Sequence, residues 1–400
     1  MKIVIVSAFY SEGMGYSENC LPKALAALGH DVHVITSNFN VYGTMPDYNK
    51  TYKSFLGNAD QGIGEFEVDG YTVHRLPAKL LSSYVYIKGF YGKLKNIAPD
   101  VVQVTEIASL NTFMLVLIKT FIKFRLFTET HQHLSVVRPY MRNKKGFLVK
   151  RLAYFLTRTL PSGIASRFVE KCYAISLDCA DVAHEFYGVP RSKLKIEPLG
   201  TDTDLFHPAI SEEERKSYEV LRCQLGYSSK DIVCIYSGRF SNDKNPLLLA
   251  ESVEKLAVKG LSFRALFIGE GIQSGQIQNC HNSQVLPFMK HNMLAEYYRI
   301  ADIAVWPTQE SISMLDAAAS ALPIVVSDQI GEINRVDGNG RIFKEGEVND
   351  LSKVLYELRD ELTRTTLGKM GREKMDKSYS WNNIAISVTK DYLESLKKNS

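Results

Sequence analysis

The sequence is poor in the features that mark special environments. Its six cysteines stand at 20, 172, 179, 223, 234 and 280, with no C-x-x-C pair and no close histidine grouping. That spacing excludes a zinc knuckle and fits reduced thiols in a cytosolic setting. No apolar run reaches the roughly 20 residues a membrane span needs; the closest, Thr112 to Ile118, stops at Lys119. The apolar start breaks at Ser11-Glu12-Gly13 without a small-residue cleavage site, so it reads as a buried strand and not as a signal segment. A large excess of one charge is also missing. The 48 basic and 44 acidic residues leave a net charge of +4, too mild to imply nucleic-acid binding. With 45% hydrophobic and 23% charged residues, the composition excludes collagen-like and mostly disordered chains.

Four hundred residues exceed what one core usually serves, which predicts two domains with a ligand-binding cleft between them. Short β-branched runs alternate with longer amphipathic segments, the pattern of parallel sheets covered by helices. The first series of strands is Lys2–Ser7, Asp31–Thr36, Tyr71–Leu76, Val101–Val104, Arg125–Thr128 and Cys172–Ile175. The second is Ile232–Ser237, Arg264–Gly269, Gln284–Pro287, Ile303–Trp306 and Ile324–Ser327. Turn residues bounded by prolines, Lys195 to Pro208, mark the hinge. This reading divides the chain into an N-terminal domain (1–198), a C-terminal domain (199–377) and a terminal segment (378–400) whose helix packs back on the first domain. Helices are expected over Asp350–Glu361 and Tyr379–Leu396, and 38–70 reads as an irregular excursion.

Chemistry-bearing residues collect at strand ends. Gly13-Met-Gly15 follows the first strand, but it lacks the third glycine and downstream acid of a dinucleotide fingerprint, which argues against NAD. Gly238-Arg239 and Lys244 follow the first strand of the second series, and Gly269-Glu270-Gly271 follows the next; two cations there are placed to neutralise a diphosphate. Further along, Glu310-Ser-Ile-Ser-Met-Leu-Asp316 links a strand to a small-residue helix. Asp316 is either a ligand-facing acid or the closing residue of a capping box with Ser313. Glu129, His131 and His133 stand together near a strand end, where a histidine pair two apart could grip a metal, but no third ligand is evident. Asp202-x-Asp204 looks like a metal-holding pair, yet its hinge position favours turn capping.

In order along the chain, Leu28-Gly-His-Asp-Val-His-Val-Ile-Thr36, Leu199-Gly-Thr-Asp202, Phe206-His-Pro208, Gly238-Arg239, Lys244-Asn245, Gly269-Glu-Gly271, Glu310, Asp316-Ala317 and Leu322-Pro-Ile-Val-Val326 resemble retaining glycosyltransferases of family 4. The resemblance covers nearly the whole chain. It implies the GT-B fold, an α/β architecture of two facing Rossmann-like domains with a cleft between them. It also implies transfer of a sugar from a nucleotide-diphosphate donor to a saccharide or lipid-linked hydroxyl, with retention. By this resemblance Arg239 and Lys244 hold the diphosphate, Glu310 lies by the donor sugar and Asp316 binds the ribose. Ser311, Ile312, Ser313 and Met314 stand where the family has an amide-donating turn, and Gly15 lies by the phosphates or the acceptor. His131, or alternatively His133, lies near the donor sugar. No metal or other cofactor is expected. One departure stands out: Glu310 and Asp316 are separated by five residues where the family has seven, and the second acid is shorter. Competing readings are a GT-B nucleotide-sugar epimerase or phosphorylase, or a non-catalytic nucleotide-sugar binder.

Between Arg138 and Lys171 nine basic residues meet a single acid, Glu170, with Tyr140, Phe147, Tyr154, Phe155 and Phe168 interleaved. This suits peripheral contact with the anionic inner face of the cell membrane, or equally a solvated basic face with its aromatics in the core.

Overall fold

The structure is a computed structural model and describes residues 1–81, 84–141 and 147–398. The chain divides into two compact units, Met1–Leu199 with Ile384–Ser400, and Gly200–Asn383.

Unit 1 is built on an eight-stranded sheet. In chain order its strands are β1 (Lys2–Val6), β2 (Asp31–Ser37), β3 (Gly64–Val68), β4 (Tyr71–Leu76), β7 (Val101–Val104), β8 (Arg125–Thr130), β9 (Cys172–Ala174) and β10 (Leu194–Ile196), with a separate hairpin of β5 (Ala78–Leu81) and β6 (Tyr84–Ile87). The order across the sheet is β10-β9-β8-β7-β1-β2-β4-β3, and all pairings are parallel except β3 with β4. Covered on both faces, the central strands read as continuous apolar runs: Ile3, Val4 and Ile5 are at most 1% exposed. Each such side chain contributes roughly 1.5–3 kcal/mol of burial. The sheet reverses direction of growth between β1 and β7, so their carboxyl ends flank a crevice.

The helix Trp381–Lys397 closes the chain, and from Ile384 onward it belongs to unit 1. Tyr392, fully buried, meets the Phe127 ring edge-on at 4.7 Å. Asp391 anchors the same turn through Lys171 (2.5 Å), Lys195 (2.9 Å) and the Tyr173 hydroxyl (3.1 Å).

Unit 2 holds a six-stranded, wholly parallel sheet of β11 (Ile232–Ser237), β12 (Phe263–Ile268), β13 (Ser283–Leu286), β14 (Ile303–Trp306), β15 (Ile324–Ser327) and β16 (Gly340–Phe343), ordered β13-β12-β11-β14-β15-β16. Its switch point lies between β11 and β14.

Several local expectations need correction. Residues 38–70 are not wholly irregular: they contain two single-turn helices, Tyr48–Thr51 and Lys53–Leu56, and β3. β3 escapes a pattern search because it is an edge strand with little buried face. The short edge strands β10 and β16 escape it for the same reason. The helix expected to end at Glu361 ends at Glu357; Asp360 then caps a second helix, Glu361–Lys374, by accepting from the Thr363 amide at 2.8 Å.

Candidate functional site

In unit 2 the turns after β11 and β12 are pressed together. Gly238 and Gly269 have φ of +146° and Gly271 +157°, a conformation that L side chains rarely adopt. A Cβ on Gly269 would lie 2.0 Å from the Gly238 carbonyl oxygen, and one on Gly271 2.3 Å from that of Phe240. The Gly238 amide donates to Ile268 (3.0 Å) and the Phe240 amide to Glu270 (2.9 Å). What comes close to Gly269 and Gly271 is the backbone of the neighbouring turn. Glu270 itself stands exposed.

This double turn is a rigid base for two cations. Arg239 is half exposed and only loosely paired with Asp243 at 3.7 Å. Lys244 is partly buried, and its Nζ donates to the Glu310 carbonyl at 2.8 Å. Burial, and next the charge of Arg239, hold the Lys244 ammonium below the ordinary lysine range. Two cations raising each other's free energy at a switch point favour an anionic ligand.

The acids of the β14 loop are both tied to protein groups. Glu310 Oε1 accepts from the Glu332 amide at 2.6 Å, and Oε2 lies 3.2 Å from Arg335, a buried arginine that no sequence pattern indicated. Asp316 is 1% exposed; Oδ1 accepts from the Thr201 hydroxyl (2.7 Å), and Oδ2 is 2.8 Å from His291 Nε2. The capping-box account of Asp316 fails, because Ile312 and not Ser313 is the N-cap of the helix Ser313–Ala319, and it gives no side-chain cap. Each Asp316 oxygen thus already has one partner within the protein. In the turn between the two acids, Ser311 and Ser313 share a hydrogen bond (2.7 Å), the Ser311 amide points at Met314 Sδ (3.4 Å), Met314 is buried, and Ile312 is partly exposed.

Unit 1 brings together three adjacent strand ends. Gly13 and Gly15, at φ +74° and +69°, turn the chain after β1 into the helix Ser17–Ala27, which carries Glu18. Glu106 follows β7, and Glu129 and His131 lie at the end of β8. Glu129 Oε2 is 2.9 Å from His131 Nε2, while Glu106 accepts from the Ala108 amide (3.2 Å) and lies 3.4 Å from the His131 amide. Burial pushes the Glu18 carboxyl up to about 7 and raises that of Glu106. For His131 burial opposes the charge, but the Glu129 hydrogen bond, with Glu106 and Glu18 behind it, wins and raises its pKa. Glu18 belongs to Tyr16-Ser-Glu18, which resembles the family's glycine loop, whereas Glu106 carries no motif and its only signal is position after an apolar strand.

His131 and His133 do not act as a pair. β8 ends at Thr130, and His133 turns instead to Asp178 (3.0 Å) in the first turn of the helix Leu177–Tyr187. Among the described residues no group of three His, Cys, Asp or Glu side chains is placed to hold a metal ion. Asp202 accepts from the Asp204 and Leu205 amides at 3.2 Å, as a turn residue does.

In the basic segment, the side chains of Arg138, Tyr140, Arg142, Lys144, Lys145, Phe147 and Lys150 lie outside the described residues. Arg158 turns inward, donating to the Ala108 carbonyl (3.1 Å) over the Tyr84 ring, and Lys171 pairs with Asp391. Only Tyr154 of the three described aromatics is buried; Phe155 and Phe168 are 46% and 49% exposed. No described helix is long and apolar enough to cross a membrane.

Residues 20–205 match the family model described as Glycosyltransferase Family 4, and 231–361 match that described as Glycosyl transferases group 1. Alpha-monoglucosyldiacylglycerol synthase of Acholeplasma laidlawii is 23% identical over 100% of this chain and 98% of its own length. Spore coat protein SA of Bacillus subtilis is 25% identical over 50% of this chain, a match that spans only 59% of that relative. Among solved structures, sucrose-phosphate synthase from Thermosynechococcus elongatus superposes with a TM-score of 0.69 at 19% identity, covering both chains fully. HepE from Anabaena in complex with UDP gives 0.66 at 14%, covering 99% of this chain and 100% of its own. Two parallel Rossmann-like sheets, each with its polar residues at the switch point, and two family models in the matching order make this chain a GT-B glycosyltransferase of the family 4 type.

Proposed function

We propose that the protein moves a sugar from a nucleotide-diphosphate sugar to a hydroxyl of a saccharide or lipid-linked acceptor, with retention of anomeric configuration. The observation that carries this reading is the pair Arg239 and Lys244, held on interlocked turns at the switch point of unit 2. Negative charge grows on the departing nucleoside diphosphate, and fixed cations stabilise it without reorganising during the reaction. These cations fill the electrostatic role, so the reading includes no metal cofactor. The turn Ser311 to Met314 lies against the same loop and supplies polar groups to the donor. In unit 1, His131 and its carboxylates suit hydrogen bonding to sugar hydroxyls. HepE, solved with UDP, supports a uridine donor as the first to try.

Incubation with UDP-, GDP- and ADP-sugars tests the reading. Release of nucleoside diphosphate coupled to a product of unchanged anomeric configuration by NMR is expected. An inverted product, or no turnover with any donor, would overturn it.

The acceptor side has its own support. Val149, Leu152, Phe155, Leu156, Leu160 and Ile164 stand 43–76% exposed along one helical run, Phe147 to Ala165. Exposed apolar side chains among bases fit the headgroup boundary of an anionic bilayer. The relative matched along the whole chain is named for a glycosyldiacylglycerol, which favours a lipid-linked acceptor and a place at the membrane face. Retention on anionic vesicles, lost at high salt and in Leu156→Glu, is the expected result; retention indifferent to both would exclude this mode.

A further inference from the structure

Behind His131 runs an unbroken line of buried polar groups. His131 Nε2 is 2.9 Å from Glu129 Oε2; Glu129 Oε1 accepts from Gln103 Nε2 at 2.5 Å; and Gln103 Oε1 accepts from the Tyr392 hydroxyl. Gln103 and Tyr392 are fully buried and Glu129 is 7% exposed, whereas His131 keeps about a third of its side chain open. With Glu129 ionised, the polarity of the line has one solution. A tyrosine hydroxyl donates to the amide oxygen, which turns the amide N–H to the carboxylate, and the carboxylate requires a proton on the nitrogen that faces it. His131 Nε2 therefore carries hydrogen in both charge states, and Nδ1, which has no partner among the described residues, is the end left for a ligand.

We infer that Tyr392, Gln103 and Glu129 are positioning residues for transfer: in a line that starts on the chain's last helix and crosses β7 and β8, they fix the ring orientation and tautomer of His131. The inference rests on the proposed role of His131 at the sugar. Its physical basis is that a buried, fully satisfied network orders the group at its end more strongly than separate contacts do. Asp391, held by Lys171, Lys195 and Tyr173, pins the turn that presents Tyr392, so the terminal helix is part of the machinery and more than a lid on the sheet. The charged groups acting on His131 are Glu129, Glu106 and Glu18, with Arg158 acting on Glu106; Glu129 is the one in contact.

Histidine-labelled NMR of the full chain and steady-state kinetics test this together. Wild type should show His131 as the Nε2–H tautomer when neutral. Glu129→Gln should mix the tautomers, lower kcat roughly ten- to hundredfold with donor KM little changed, and move the pKa governing kcat downward, because the imidazolium loses its nearest anion. Tyr392→Phe, which removes one oxygen, should lower kcat about threefold in the same pattern. An unchanged tautomer and pH profile in both variants overturns the inference, as does an equal loss of kcat and thermal stability with the profile intact. His131→Ala separates the layers: if it transfers normally, the reading of the site fails; if it is inactive while Glu129→Gln and Tyr392→Phe behave as wild type, only the relay fails.

Discussion

In unit 2 the strand ends at the switch point carry Arg239 and Lys244 on turns locked backbone to backbone; in unit 1 the corresponding edge carries Glu18, Glu106 and Glu129 around His131. Both sheets place their reactive groups at carboxyl ends where strand order reverses, as open parallel sheets do. They differ in charge and in how the groups are held. Unit 2 sets two cations side by side with one loosely held anion, Asp243 at 3.7 Å from Arg239, a balance that fits the phosphate proposed for it. Unit 1 sets three carboxyls around one imidazole, with Glu129 hydrogen-bonded to the ring, a balance that fits the sugar hydroxyls proposed for it. A shared scaffold thus says where chemistry sits, and the local charge balance says what it binds.

The largest expected effect is the loss of unit 2's inner cation. Lys244→Ala should slow transfer by about 10²–10³-fold. The lost bond to the Glu310 carbonyl is worth ~1 kcal/mol, so Tm should fall by no more than about 4 °C. Initial rates with saturating acceptor and a parallel melt measure both. Near-normal rates would erase the electrostatic contrast between the units and the site assignment with it.

Asp316 gives a smaller effect of the opposite kind. Its carboxylate is buried between Thr201 and His291, so Asp316→Asn breaks a charge-assisted pair at a cost of ~2 kcal/mol. The expected result is a Tm lowered by about 4–8 °C with donor KM moved less than in Lys244→Ala. A variant with wild-type Tm and a large rise in donor KM would return Asp316 to the ribose and show that Thr201 and His291 release it when nucleotide binds.

How much of this could be read beforehand differs between the units for a physical reason. Unit 2's cations and glycines fall within single turns, so Gly238-Arg239, Lys244 and Gly269-Glu270-Gly271 are legible as local strings. The purpose of those glycines was not, because Gly269 answers to a carbonyl some thirty residues away. Arg335, His291 and Thr201 hold the two acids of the β14 loop from distant segments with no pattern of their own. In unit 1 the relay joins residues 103, 129, 131 and 392, brought together only when β7, β8 and the last helix have packed. The parallel sheets themselves were readable, since their central strands are continuous apolar runs; the edge strands β3, β10 and β16 were not, since little of them is buried.

The smallest effect sharpens the contrast in charge. Glu18 ionises near 4.5 in an unfolded chain but only near 7 in the fold, where burial disfavours its carboxylate. Between those values the folded state binds more protons than the unfolded state, so unit 1 loses stability as pH rises from about 4.5 through 7. His131 acts in the same direction: its raised pKa stabilises the fold while the ring is charged, and that contribution is lost as pH climbs through the folded value. Lys244, lowered by burial and Arg239, has the opposite slope, so unit 2 gains as pH approaches the lysine range. Glu18→Gln removes one titration from unit 1 alone. Relative to the parent, this variant should melt higher by a few degrees at pH 8 and show a smaller or no advantage at pH 5. An advantage that does not change with pH would mean that Glu18 holds its proton equally in both states. The carboxyl surplus of unit 1 would then have to rest on Glu106.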